Sequence, residues 1–365
     1  SSGVASIKNM ERFGKIMKGT AIVFMGTTLV IAFLGITSAL LFNPSKGLDV
    51  SSVKNLMVAQ DAETLESKGT LLDQVVSSIT VKNFGDLFSS SNLLQLVIFA
   101  VLIGTAIAMM GDRGNTIRKL LSEGTEAILK VVSIFMLYAP IGLGCYTATI
   151  IGELGSKIIQ GYVRVFVIYS LTAAMYFLLF YSLYAFLSAG KQGFRQFWRN
   201  AIKPIATALA TSSSSACIPS NLEASKNIGV PDDISETVIP LGINIHKDGS
   251  VLAVIIKVAF LSGILGSGMA NPATIGQLFI TVFVVGVFMA PVAGGWLIGE
   301  MLVVSIFGFP VEAIPLLTVI TTITDIPNTI LNTTGNTVSS MLVSRLVEGK
   351  DWLIDKTAIT TKKIS

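Results

Sequence analysis

Hydrophobic residues in this chain fall in long blocks rather than in one-sided stripes. The runs Gly19–Pro44, Leu93–Gly111, Val165–Gly190 and Val251–Gly299 are nearly free of charge. A bilayer-crossing helix needs roughly 20 predominantly apolar residues, and each run holds about one span or more. A soluble helix would carry a polar face opposite its apolar stripe. The pattern therefore predicts an all-α, polytopic membrane protein. Two further blocks, near residues 200–230 and 275–308, contain interruptions. The first holds "TSSSSACIP" (Thr211–Pro219) and the second the glycine-rich "PVAGGWLIG" (Pro291–Gly299). Ser1–Lys18 is polar and has no apolar core of the kind a signal peptide needs. Its opening "SSGVASIKNM" reads like the tail of an earlier segment.

Composition agrees with this reading. The chain has 365 residues, of which 52% are hydrophobic and 13% charged, against about 25% charged in a soluble domain. The distribution of charge adds a topology, because Lys and Arg gather in cytoplasmic loops. Lys8, Arg12, Lys15 and Lys18 precede the first span. The segment Ser45–Asn92 is mostly acidic and is placed outside. Arg113, Arg118 and Lys119 mark an inside loop, as do Lys191, Arg195, Arg199 and Lys203. Arg345 and Lys350 put the C-terminus in the cytoplasm, and the expected location is the cell membrane. The alternation holds only if the blocks near 200–230 and 275–308 enter and leave on the same side. Both are therefore expected to be re-entrant hairpins. Cys145 and Cys217 form neither a metal pattern nor a disulfide framework. No nucleotide, flavin or metal motif is present, and no cofactor is expected beyond Na+ or H+ as coupling ion. Lys191–Lys203, with Phe194, Phe197 and Trp198, reads as an amphipathic linker at the headgroup level. It does not read as a nucleic-acid patch.

The polar groups inside the apolar blocks are the candidate chemistry. Irregular backbone at membrane depth is tolerated where it is buried in protein or lines a watered cavity. "TSSSSACIP" fits the tip of such a hairpin, with Pro219 helping to break the helix. In the middle of a span over about Ile234–Leu265 stands "GINIHKDGS" (Gly242–Ser250). Insertion scales charge about 2.5–3.5 kcal/mol for each Lys or Asp at a helix centre, and such groups mark ion or substrate paths by default. Gly242 and Gly249 suggest a locally unwound helix. In the last span, about Pro310–Leu346, Asp325, Asn328 and Asn332 recur at spacings of three and four and share a face. Asn336 continues that face and Thr329 lies beside it. Asp325 suits a ligand ammonium group. Hairpin, broken helix, hairpin, broken helix is the sequence signature of an inverted-repeat transporter.

Two rival classes are weaker. Ser214, His246 and Asp248 suggest an intramembrane hydrolase. Residues two apart on a helix do not face each other, however, and nothing resembles a nucleophile elbow. An anion channel would want a continuous polar stripe and rings of like charge, whereas this chain has a central cluster between two interrupted blocks.

Over nearly its whole length the chain resembles the glutamate/aspartate transporter family, the dicarboxylate/amino acid:cation symporters. "LFNP" (Leu41–Pro44) resembles the end of the family's third span and "YAPIG" (Tyr138–Gly142) its fifth. "TSSSSACIP" is similar to its serine-rich first hairpin. "NIHKDGS" (Asn244–Ser250) stands where the family has Asn-Met-Asp-Gly-Thr, and "DIPNTILNTTGN" (Asp325–Asn336) is similar to its substrate-binding stretch. The resemblance implies a homotrimer in the bilayer, with a scaffold and a transport domain that moves like an elevator. Residues 1–190 would hold family spans three to six, with an extracellular loop over 45–92. Residues 191–350 would form the transport core and 351–365 a cytoplasmic tail. The family's first two spans have no counterpart here. Ser213, Ser214 and Ser215 would meet the substrate carboxylate. Val292, Ala293, Gly294 and Gly295 would form the gate tip, and Asp325 would take the amino group. Asn328, Thr329 and Asn332 would make polar contacts, with Asn332 on the α-carboxylate and Ser250 in place of a threonine. Coupling-ion positions would be Gly242, Asn244, His246, Lys247, Asp248, Asn332 and Asn336. Of these, Gly242, Asp248, Asn332 and Asn336 would serve as sodium ligands.

The departures from the family pattern sharpen the expectation. Members that take acidic substrates carry an arginine where this chain has Asn328 or Ser212. Neither replaces a guanidinium fork, and an unpaired buried carboxylate costs several kcal/mol. Small neutral amino acids such as serine, threonine or alanine are therefore favoured over acidic amino acids and dicarboxylates. Family carboxylates are replaced by Asn336 and Thr321, and Asn-Met by His246-Lys247. A hard cation wants oxygen ligands. Lys247 is therefore read as a tethered cation standing in for a sodium, and His246 as a proton-coupling group. The bland readings stand beside these: Lys247 snorkels to the interface, and His246 is a neutral core residue.

Overall fold

The computed structural model describes residues 10–47, 83–85, 93–138, 157–266, 271–288 and 295–353, with a few isolated positions between them. Every long element among them is helical. The order is α1 (Met10–Phe42), α2 (Leu93–Met109), α3 (Asn115–Met136), α4 (Lys157–Met175), α5 (Tyr181–Thr211), α6 (Ile218–Ile228), α7 (Asp232–Ile245), α8 (Asp248–Leu265), α9 (Pro272–Phe288), α10 (Gly295–Phe307) and α11 (Ile314–Glu348). Among the described residues, four stretches of helix are long and apolar enough to cross a bilayer: Glu11–Phe42, Ile158–Thr211, Asp232–Leu265 and Val311–Glu348. The expected extracellular loop over 45–92 falls largely outside the described residues, as does part of "YAPIG".

The architecture is built around α8 and α11. A helix that is apolar all round must be buried all round, and α8 is closed off from Asp248 to Ser262 along its whole circumference. It packs between α1 and α11, with α4 and α9 on its flanks. The outer faces of α1 and α4 are apolar as well, with Phe33, Leu41 and Leu171 about two-thirds or more exposed. Such faces suit lipid rather than water. At the N-terminal end Arg12 ties α1 to α7 and α11 through Asp233, at 2.5 Å, and Glu348.

Two interruptions shape the middle of the chain. A wide π-type turn, Tyr176–Phe180, joins α4 to α5 and leaves Tyr176 and Tyr181 fully buried. Such insertions inside helices are frequent at functional sites. Further on, α5 breaks at Ala189–Gly190, where Gly190 has φ +61°, a backbone value that favours glycine. The arm beyond it runs on as helix to Thr211. The stretch expected as a headgroup linker is therefore packed helix: Phe197 is fully buried and Trp198 Nε1 donates to Ser182 Oγ at 3.0 Å. Lys191, Phe194, Arg195 and Arg199 stay exposed, so this helix is amphipathic, with Phe197 and Trp198 on its packed face.

The interrupted blocks form helix pairs. The distal arm of α5 turns at 212–217 and returns as α6, which packs on both α5 and α11. In the second pair, α9 and α10 pack together, and the tip residues Val292, Ala293 and Gly294 lie outside the described residues. Of the two broken helices expected, one is observed. The helical path from α7 to α8 breaks at His246 and Lys247, which are extended at φ −128° and −137°. In contrast, α11 is continuous through Pro327 and Gly335. Its polar residues do not unwind it because their hydroxyls bond back into the helix. Thr321, Thr324, Thr333 and Thr334 each donate to the carbonyl four residues before, or within one of it.

Candidate functional site

The break between α7 and α8 places a histidine in a buried nest, with polar groups at both ring nitrogens and an aromatic ring on its face. His246 is 1% exposed. Its ring stacks on Phe24 of α1, with centroids 4.2 Å apart and planes 8° from parallel. On one side Nε2 lies 2.7 Å from Thr27 Oγ1, and on the other Nδ1 lies 3.0 Å from Asn336 Oδ1. The hydroxyl hydrogen of Thr27 is engaged by the Val23 carbonyl at 2.9 Å, so Thr27 Oγ1 is free to accept. The amide nitrogen of Asn336 donates to the Asn332 carbonyl at 2.8 Å, which fixes the amide with its oxygen towards the ring. Both ring nitrogens therefore face acceptors. A ring that donates from both is the doubly protonated, cationic form.

Asp248 completes this nest. It is 1% exposed and opens α8, where the helix dipole favours a negative charge. Tyr181 and Tyr176 donate to its Oδ2 at 3.0 and 3.3 Å. Its Oδ1 has no hydrogen bond, and its nearest counter-group is His246 Nε2 at 3.3 Å. A buried carboxylate with one open oxygen beside a cationic ring is an internal ion pair. Gly242 makes the approach of α11 feasible here, since a Cβ at that position would lie 2.1 Å from Asn336 Oδ1.

One turn along α11, asparagines hold the N-terminus of α8. Asn332 Oδ1 accepts from the backbone of Gly249 at 2.9 Å and of Ser250 at 3.3 Å. Its amide nitrogen donates to Ser250 Oγ and Asn328 Oδ1 at 3.1 and 3.2 Å. Helix starts leave such N–H groups without intrahelical partners, and Asn332 supplies the missing acceptor from a neighbouring helix. Here too a glycine permits the contact: a Cβ on Gly249 would meet the Asn328 backbone oxygen at 2.5 Å. Tyr169 adds a bond to the Gly249 carbonyl at 3.1 Å.

Beyond Ser250 and Asn328 lies a small, partly open cavity of about 10 Å³, room for one water. Its wall also carries Lys257 of α8, Glu300 of α10, Thr321 and Thr324. Lys257 Nζ and Glu300 Oε1 are 2.9 Å apart, with side chains 6% and 1% exposed. Thr321 Oγ1 bonds to both of them, and Thr318 donates to Glu300 Oε2 at 2.8 Å. Neither charge was singled out from sequence. The signal was present: a lone lysine in "AVIIKVAF" (Ala253–Phe260) and a lone glutamate in "WLIGEMLVV" (Trp296–Val304) meet the rule that pointed to Asp325.

Other expected site residues stand apart. Asp325 is half-buried and makes no ion pair among the described residues. Thr329 is buried on α11, next to the asparagine face. Ser213, Ser214 and Ser215 are half-buried in the turn after α5. The base of that turn meets α11, where Cys217 touches Thr333. Lys247 is 4% exposed and lies in the break itself. Asn244 is exposed and its amide folds back on the Pro240 carbonyl at 2.8 Å, away from the nest. Gly295 opens α10. Ser214 is not among the partners of the His246 ring, whose nitrogens meet Thr27 and Asn336. Among the described residues, no group of three or more His, Cys, Asp or Glu side chains is placed to hold a metal.

Long apolar helices, one of them broken around buried charge at mid-span, define a multi-pass membrane protein of the secondary-transporter class. The chain belongs to the sodium:dicarboxylate symporter family, whose profile matches residues 1–346. It is a family of membrane symporters, not of enzymes. A proton/sodium-glutamate symport protein of Geobacillus stearothermophilus is 24% identical over 345 residues, covering 94% of this chain and 81% of that protein. The proton/glutamate-aspartate symporter of Escherichia coli is 24% identical over 355 residues, 94% of this chain and 79% of its own. A C4-dicarboxylate transport protein of Bradyrhizobium diazoefficiens is 27% identical over 294 residues, 80% of this chain and 64% of its own.

Proposed function

We propose that this chain is a cation-coupled symporter of small neutral amino acids such as serine, threonine or alanine. One observation carries the reading. Where the resemblance puts a guanidinium, the Asn328 amide oxygen is already engaged by Ser250 and Asn332. The lysine in the adjoining cavity is already neutralised by Glu300. Nothing in that wall offers an unmatched positive charge to a substrate's side-chain carboxylate. On this reading Asp325, which has no structural ion pair among the described residues, takes the substrate ammonium group. The serine turn 213–215 takes the carboxylate, and Thr329 and Asn332 line the site. The tip Val292–Gly295 closes over it.

The same proposal covers the mechanics. The pairs α5–α6 and α9–α10 act as re-entrant hairpins. Residues 191–350 move as a transport core against a trimeric scaffold from 1–190, with the 351–365 tail in the cytoplasm. His246, rather than Lys247, is the tethered cation, because its ring faces the Asp248 carboxylate that would otherwise attract a coupling ion. Asn332 and Asn336, whose side-chain oxygens already meet the Gly249 and Ser250 amides and the His246 ring, would take a cation from solution only by giving up those bonds.

A second reading has its own support. The relatives are named for glutamate, aspartate and C4-dicarboxylates, and Lys257 does line the cavity. Uptake into proteoliposomes separates the two. Labelled serine should accumulate and be competed by threonine and alanine, not by aspartate or malate. Accumulation of aspartate or malate without serine would overturn the neutral reading. Asp325→Asn should abolish serine uptake while leaving the melting temperature within a few degrees, since a half-buried side chain with no ion pair among the described residues contributes little stability. Retained uptake would remove Asp325 from the site.

A further inference from the structure

We infer that Glu300 is a built-in specificity element: its carboxylate occupies Lys257 and thereby keeps acidic side chains out of the cavity. The inference rests on the neutral-substrate reading above, since it assigns the part of the site that would read the substrate's side chain. The geometry supplies the argument. Lys257 and Glu300 line the same cavity as Ser250 and Asn328. Their separation of 2.9 Å, with both side chains buried, makes them one neutral unit. Glu300 is held on both oxygens, by Lys257 and Thr321 on Oε1 and by Thr318 on Oε2. Two of those holders stand on α11 and one on α8, so the anion is fixed by helices other than its own. A substrate carboxylate reaching this wall would meet a lysine whose charge Glu300 already balances. A dicarboxylic ligand and Glu300 are thus competitors for one ammonium group, and the tethered one has the higher effective concentration.

Removing the charge but not the shape should release the lysine. In Glu300→Gln the ammonium keeps Thr321 and gains room for an external carboxylate. The expected result is a rise of about tenfold or more in the ratio of aspartate to serine uptake, roughly 1.4 kcal/mol of altered discrimination. Lys257→Met/Glu300→Met should lose that rise, because no cation remains. If Glu300→Gln is poorly folded, Thr321→Val serves instead. It removes the hydroxyl shared by both charges while keeping both, and should raise the ratio by a smaller factor. An unchanged ratio in folded Glu300→Gln, or a rise that persists in the double variant, would overturn the inference. The two layers fail separately. Serine uptake by the unsubstituted protein tests the substrate reading. The variant-to-parent ratio for aspartate tests Glu300 whichever substrate the parent prefers.

Discussion

Two buried charge clusters lie nine residues apart on α8, and they are built differently. At the helix start, His246 and Asp248 are enclosed by α1, the π-type turn, α5 and α11. Their partners come from long helices in the heart of the bundle. Further along, Lys257 pairs with Glu300, which stands on the thirteen-residue α10 of the second helix pair. The first cluster needs the backbone break to exist at all, since His246 and Asp248 could not face each other on an unbroken helix. The second needs no break; two intact helices bring it together. The first therefore looks fixed, a charge installed in the frame. The second joins the second helix pair to the frame and borders a cavity. On the proposed function both replace a charge that would otherwise come from solution: His246 a cation, and Glu300 the carboxylate of an acidic substrate.

The largest expected effect comes from unpairing the second cluster. Lys257→Met should destabilise by about 3–5 kcal/mol, because it strands Glu300 as a buried, uncompensated charge. Lys257→Met/Glu300→Met should recover most of that loss, since apolar replacement of a whole buried pair is often near neutral. Thermal unfolding of the three proteins in detergent checks this. Equal losses in the single and double variants would mean that the pair is held by its surroundings and not by charge. A smaller loss, about 1–3 kcal/mol, is expected for Asn332→Ala. It leaves the Gly249 and Ser250 amides and the Asn328 oxygen without their shared partner in a buried place. The comparison sharpens most at His246→Asn, which strands the buried Asp248 carboxylate and, measured without sodium, should cost stability on the same scale as Lys257→Met. It removes the ring and its charge but supplies an oxygen beside Asp248 Oδ1. Substrate uptake should become sodium-stimulated by about tenfold, the scale of one moderate ion-binding preference. Uptake indifferent to sodium in that variant would break the idea that the ring occupies an ion's place.

The sequence carried the class of fold and the positions of most irregularities, for different physical reasons. Charge-free runs of about 20 residues have no other stable home than a bilayer, so the long helices were legible. The break at "GINIHKDGS" was legible because three polar side chains cannot sit mid-span in a lipid-facing helix. The same logic wrongly predicted a break in the last span. There the polar residues are threonines, whose hydroxyls can bond within the helix, and asparagines, whose amides reach another helix. Pattern alone does not distinguish these outcomes. Nor did it show that the His246 ring would sit against Asp248, which depends on Phe24, Thr27 and the tyrosines arriving from distant segments. Lys257 and Glu300 were overlooked for a related reason. Each is a single charge in an apolar run, and only the packing of α8 on α10 and α11 makes them a pair.

The central claim is that this symporter carries its compensating charges internally. It is tested most directly by ligand-induced thermal stabilisation of the full chain, with serine and aspartate each added in NaCl and in choline chloride. A ligand that binds only the folded state raises the melting temperature by mass action. Serine should stabilise the protein in both salts, and aspartate in neither. Stabilisation confined to NaCl would mean that the ring at 246 does not replace a cation. Stabilisation by aspartate, and not by serine, would mean that Lys257 is open to substrate and that Glu300 does not guard it.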